Sequence, residues 1–150
     1  MPDIIRTNSD NPDFQRLTDQ LDTELCRIYN TNKEDYEEYN RITGLPTVVL
    51  AYENGVAIAC GCFKPHDGTT IELKRMFVQP TSRGKGIASA VAAELEAWGR
   101  ESGYQTAILE TGTGQPEAIA MYRKLGYTHI PHFGDFPDES RSVCLGKRLG

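Results

Sequence analysis

No apolar run in the chain approaches the length of a membrane span. The opening residues Met1-Pro2-Asp3-Ile4-Ile5-Arg6 lack the apolar core of a secretory signal. A cytoplasmic location is the resulting expectation. Cysteine is scarce and scattered: Cys26, Cys60, Cys62 and Cys144 make no Cys-x-x-Cys pair, and no histidine stands at zinc-finger spacing. Reduced thiols and no bound metal are therefore expected. There is no basic stripe either. Sixteen Lys and Arg face 21 Asp and Glu, giving a net charge of −5 and a pI near 5.2, a balance that argues against nucleic-acid binding. Repeats, linkers and low-complexity segments are absent. The 150 residues suffice to bury about two-thirds of their unfolded surface around one core, so a single domain over 1–150 is expected.

What is present reads as alternating elements of an α/β protein. Asp3 to Thr7 is a short strand, and Asn11-Pro12 is a helix start, with a capping side chain before a proline suited to the first turn. Phe14, Leu17, Leu21, Leu25 and Ile28 recur at helical spacing. A polar stretch with tyrosines, Glu34 to Tyr39, reads as a second short helix or an ordered loop. Strands over 47–52 and 56–63 meet at Asn54-Gly55, a strong hairpin signal. Cys60 and Cys62 share one face of the second. Asp67-Gly68 turns the chain into a strand over 70–79. A helix then places Ile87, Val91, Leu95 and Trp98 on one face and ends near Gly103. A strand over 106–111, a helix over 116–125 stopped by Gly126, and two last strands flanking 131–138 complete the reading.

The densest signal lies at Phe77-Val78-Gln79-Pro80-Thr81-Ser82-Arg83-Gly84-Lys85-Gly86-Ile87-Ala88. An apolar strand runs through a proline turn into a small, basic loop that opens directly into a helix. The first amides of a helix have no internal partner and carry partial positive charge. Residues 84, 86 and 88 are small enough for close approach, and Arg83 and Lys85 add two charges. Such a loop can cradle a pyrophosphate with main-chain amides. It can also be a plain strand-to-helix turn. No Gly-x-x-x-x-Gly-Lys-[Ser/Thr] string occurs, and Gly84-Lys85-Gly86-Ile87-Ala88-Ser89 ends in Ser where a dinucleotide fingerprint needs Gly or Ala.

Arg83-x-x-Gly86-x-Ala88, behind Met76-Phe77-Val78, resembles the acetyl-CoA signature of the GNAT superfamily of N-acetyltransferases. Gln115-Pro116-Glu117-Ala118-Ile119-Ala120-Met121-Tyr122-Arg123-Lys124-Leu125-Gly126-Tyr127 is similar to that family's helix after the fifth strand. The two motifs stand in the family's order, and the resemblance spans roughly residues 47 to 130. It implies a single-domain α/β fold with a mixed sheet of six or seven strands, the fourth and fifth splayed, and about four flanking helices. It implies acetyl-CoA as co-substrate, an amine acceptor and no metal. It leaves monomer or homodimer open.

Carried over by position, the resemblance assigns Met76, Phe77 and Val78 to the pantetheine arm and thioester carbonyl. It assigns Arg83, Gly84, Lys85, Gly86, Ile87 and Ala88 to the pyrophosphate. Gln115 stands where the family often has an arm-contacting Asn. Tyr122 corresponds to the proton donor for the departing thiolate; its spacing from Ile119 and Leu125 equally suits a core tyrosine. Glu72 corresponds to a base acting through water, with an ion pair to Lys74 or another cation as the alternative. Glu110, His66, His129 and His132 are weaker candidates for that base, and Tyr127 is a packing residue. Residues 1–47 hold ten acids and five bases. That excess complements a cationic amine or simply solvates helix faces. A CoA-binding module without chemistry is the alternative to an enzyme.

Overall fold

The computed structural model describes residues 2–30, 44–133 and 142–150. Seven strands form one mixed sheet in the order β1-β2-β3-β4-β5-β7-β6. They are β1 (Asp3–Thr7), β2 (Val48–Glu53), β3 (Val56–Pro65), β4 (Thr70–Val78), β5 (Thr106–Gly112), β6 (Thr128–His129) and β7 (Ser142–Arg148). The described helices are α1 (Pro12–Tyr29), α2 (Ile87–Glu101) and α3 (Pro116–Lys124), with a single 3-10 turn at Pro80–Ser82. The second helix or ordered loop expected at Glu34 to Tyr39 lies outside the described residues.

Local chemistry accounts for the element ends. Asn11 caps α1, its side-chain oxygen accepting from the Asp13 amide at 2.8 Å, with Pro12 following. Asn54 and Gly55 both take positive φ, 52° and 79°, as a two-residue hairpin between right-twisted strands requires. At the end of α3, Leu125 closes the last turn and Gly126 takes a φ of 101°.

Each sheet face has its own core. Beneath α1, Phe14, Leu17 and Leu21 meet Val48, Leu50, Cys60, Cys62 and Phe77. On the other face Ile87, Val91 and Leu95 of α2 pack on Val49, Phe63, Ile71, Leu73 and Val78, and Tyr122 and Tyr127 join them. Both Cys60 and Cys62 lie on the α1 side, as their spacing predicts. Ile28 departs from the expected buried stripe: it is 40% exposed at the end of α1.

Two features of β4 set the functional geometry. First, it pairs in parallel with β5 only through Thr70–Thr106, Ile71–Ala107 and Glu72–Ile108. Beyond Glu72 the two strands part, which is the expected splay. β5 continues fully paired to β7, from Thr106–Arg148 to Gly112–Ser142. Second, β4 carries one extra residue against β3. Cys60 pairs with Phe77 but Cys62 pairs with Lys74, and Arg75 between them has a φ of 58°. This is a β-bulge, which bends the strand and raises its twist. Arg75 turns its side chain onto α1, donating to the Thr18 carbonyl at 3.0 Å and pairing with Asp22 at 2.7 Å. Asp22 and Arg75 are both buried.

Candidate active site

The gap between β4 and β5 opens into a cleft of about 500 Å³. One wall is β4 from Glu72 to Val78, the other is the end of β5 with the start of α3, and the last two turns of α1 supply a third side through residues such as Glu24, Ile28 and Tyr29. Met76, Phe77 and Val78 form the part of β4 left without a β5 partner. Their β5-facing amides and carbonyls are an open strand edge, which an extended amide-bearing arm can pair with. Phe77 and Val78 are buried and Met76 is half-buried.

At one end of the cleft the chain leaves β4 through the 3-10 turn and enters α2. Gly84 and Gly86 have φ of 80° and 79°, a conformation that disfavours any other residue. Gly86 is the N-cap of α2, provides no side-chain cap, and no acidic residue occupies the first turn. The first helical bond runs from the Ala90 amide to the Gly86 carbonyl. Among the described residues the amides of Gly84, Lys85, Gly86, Ile87 and Ala88 donate to no loop or turn carbonyl. Uncapped amides at a helix start, with Lys85 exposed beside them, fit a pyrophosphate.

Arg83 is more engaged than its loop position suggests. Its Nε donates to the Val78 carbonyl at 2.8 Å, its Nη2 pairs with Glu24 at 2.6 Å, and its guanidinium lies over the Phe77 ring. Among the described residues Nη1 makes no bond and is left to face a ligand. Sequence reasoning missed Glu24 and the α1 wall. The trace that could have found them is the continuation of the α1 apolar stripe to Ile28, beyond what one core face needs.

Tyr122 is 4% exposed, lines the cleft, and sits edge-on to Tyr127 with ring centroids 5.5 Å apart. Burial alone pushes its phenol well above the usual tyrosine range. It is a core residue whose position also borders the cleft. Tyr127 is packed in the core as expected, and its hydroxyl donates to Glu96 at 2.9 Å. Gln115 holds the N-cap position of α3, lines the cleft, and makes no capping bond with its side chain.

Glu72 is buried at the fork of β4 and β5, with Lys64 at 3.8 Å across the β3 ladder and Lys74 at 3.6 Å along its own strand. The ion pairing that its sequence allowed is thus present, and the carboxylate still lines the cleft. Glu110 lines the opposite wall, with His132 Nδ1 at 3.6 Å. His66 stacks edge-on against Phe133, away from these groups, and His129 is exposed on β6. Residues 35–39 and 134–138 lie outside the described residues.

The Acetyltransferase (GNAT) family pattern matches residues 13–127. An IAA acetyltransferase of Azospirillum brasilense is 32% identical over 142 residues, 89% of each chain. The uncharacterized N-acetyltransferase YjgM of Escherichia coli is 31% identical, over 84% of this chain and 81% of that one. Among solved structures, a Klebsiella pneumoniae protein provisionally assigned as an acyl-CoA N-acyltransferase superposes with a TM-score of 0.82 at 28% identity, covering 100% of this chain and 99% of that one. A GNAT family acetyltransferase of Elizabethkingia anophelis, solved with acetyl-CoA bound, shares the fold at a TM-score of 0.60 and 19% identity over 67% of this chain and 74% of that one. With a parted β4 and β5, an uncapped glycine-bearing helix start and a family pattern running through both, this chain belongs to the GNAT family of acetyltransferases.

Proposed function

We propose that the protein transfers the acetyl group of acetyl-CoA to a primary amine of a small molecule, amino acid or peptide, by direct attack with both substrates bound. The observation that carries this reading is the continuous path from the free amides at the start of α2, along the unpaired edge of β4, to Tyr122 and Glu72 in one cleft. Acetyl-CoA supplies the activated acyl group. The amides of Gly84 to Ala88 with Lys85, and Arg83 through Nη1, hold the pyrophosphate; the edge at Met76 to Val78 and the Gln115 side chain hold the arm. Strand amides at Phe77 and Val78 stabilise the charge that develops on the thioester oxygen.

Holding both reactants in line supplies most of the rate, a contribution that can reach roughly 7–11 kcal/mol. An alkylammonium has a pKa near 10.4, so less than about one part in a thousand is neutral at pH 7. Glu72, set between Lys64 and Lys74, accepts that proton through water. Tyr122 donates to the departing thiolate. The phenol is protonated at neutral pH; burial makes it a weaker acid, so the proton passes as negative charge builds on the sulfur beside it. The carboxylates of Glu24, Glu72, Glu110 and Glu117 around the cleft favour a cationic acceptor.

Acetyl-CoA-dependent thiol release across amino acids, polyamines, aminoglycosides and peptides tests the reading. A primary amine should raise release well above hydrolysis without acceptor. A panel that stays flat for amines while a hydroxyl or carboxyl compound responds would overturn the acceptor class.

A further inference from the structure

At the edge of the cleft, on the strands that close it, three side chains converge, of which the transfer reaction uses only the charge of Glu110. Glu110 and Cys144 are directly opposed in the β5–β7 ladder. His132, just after β6, reaches over them. His132 Nδ1 lies 3.6 Å from Glu110 Oε2 and 3.7 Å from Cys144 Sγ, and all three atoms fall within 4.8 Å of one another. Glu110 Oε2 is buried and has no hydrogen-bond partner, an arrangement that costs free energy unless something cationic satisfies it.

His132 Nδ1 faces the carboxylate, the thiol and the Ser142 hydroxyl at 3.4 Å, all three at long range. Three such donor atoms gathered around one point are spaced as metal ligands are. With zinc bond lengths of about 2.0–2.3 Å at a tetrahedral angle, N···O is about 3.4 Å and N···S about 3.6 Å. The observed 3.6 and 3.7 Å come close to those edges.

We propose that Glu110, His132 and Cys144 form a binding site for a divalent transition metal of the zinc type. The mixed thiolate, imidazole and carboxylate set suits zinc and cobalt rather than calcium or magnesium, which take oxygen ligands. Cys144 binds as the thiolate and releases its proton to solvent on metal uptake. The site does not depend on the acyl-transfer reading, and its test uses no activity.

The test is a titration of the reduced, chelator-treated full-length protein with cobalt(II), followed by displacement with zinc. One equivalent should bind with visible bands of tetrahedral cobalt and a thiolate-to-cobalt charge-transfer band, and zinc should erase both. Cys144→Ala should remove the charge-transfer band, while Glu110→Gln should weaken binding at least about tenfold. Absence of the band in the parent protein, its survival in Cys144→Ala, or unchanged affinity in Glu110→Gln would each overturn the site. If Cys144→Ala does not fold, His132→Ala replaces it, and unchanged cobalt affinity there is equally fatal.

Discussion

A phenol that lacks charged or hydrogen-bonding neighbours, as Tyr122 does among the described residues, has its ionisation set by burial alone. Such a group is a proton donor at every physiological pH and a poor proton acceptor. Tyr122→Phe keeps the ring against Tyr127 and removes only the oxygen. Steady-state kinetics should show kcat lowered at least about tenfold, equivalent to about 1.4 kcal/mol, with acetyl-CoA affinity little changed. Unaltered kcat would leave Tyr122 a core residue only. Glu72, by contrast, is set between two cations, Lys64 at 3.8 Å and Lys74 at 3.6 Å, so the residues proposed as acid and base stand in different surroundings.

Among elements, the start of α2 is where the proposed cofactor binding asks most of a short stretch. Replacing Gly86 by Ala puts a β-carbon on a residue with a φ of 79°, at a cost of roughly 1–2 kcal/mol. No atom outside its chain neighbours lies within 4 Å of that carbon, so the penalty comes from the backbone and not from a clash. Calorimetric titration with acetyl-CoA should give a dissociation constant about tenfold weaker, with kcat at saturation nearly retained. Equal affinity would take the loop out of cofactor binding. This element was legible because every feature of it is local: a proline turn, glycines and basic residues in one short string. The Asn54-Gly55 hairpin was legible for the same reason. The α1 stripe was read correctly to Leu25, but a helical period cannot distinguish Ile28 in a cleft wall from Ile28 in a core. The convergence of Glu110, His132 and Cys144 had no local signature at all. It exists because β5 and β7 pair in a particular register, which no short-range pattern encodes.

Across the whole molecule, thiols and phenols are buried in both cores. Burial pushes the Cys62 thiol from 9.0 up to about 12 and raises Cys60, Tyr122 and Tyr127 as well. All are acids whose folded values exceed their unfolded ones. Below about pH 8 both states are protonated and stability is intact. Above it the unfolded chain ionises first, so stability falls as pH rises toward 12, by about 1.4 kcal/mol per pH unit for each such group. Urea midpoints measured between pH 8 and 11 should decline progressively above 9. A flat profile would mean the thiols and phenols are not sequestered as described. The same burial keeps Cys60 and Cys62 slow toward alkylating reagents in the native protein, since the thiolate is the reactive form.

The bulge at Arg75 has a consequence for how such a protein can change. Ile71 and Leu73 belong to the α2-side core, Phe77 to the α1 side, and Val78 to the α2 side again. Strike out Arg75, and side chains 71 to 78 alternate without interruption between the same two faces. The extra residue therefore asks no other core position to change, apart from Asp22, which would lose its partner. The bend it introduces and the side-chain pattern of the strand are independent. A single in-frame codon, gained or lost, could alter the opening between the strands while every apolar residue kept its own layer.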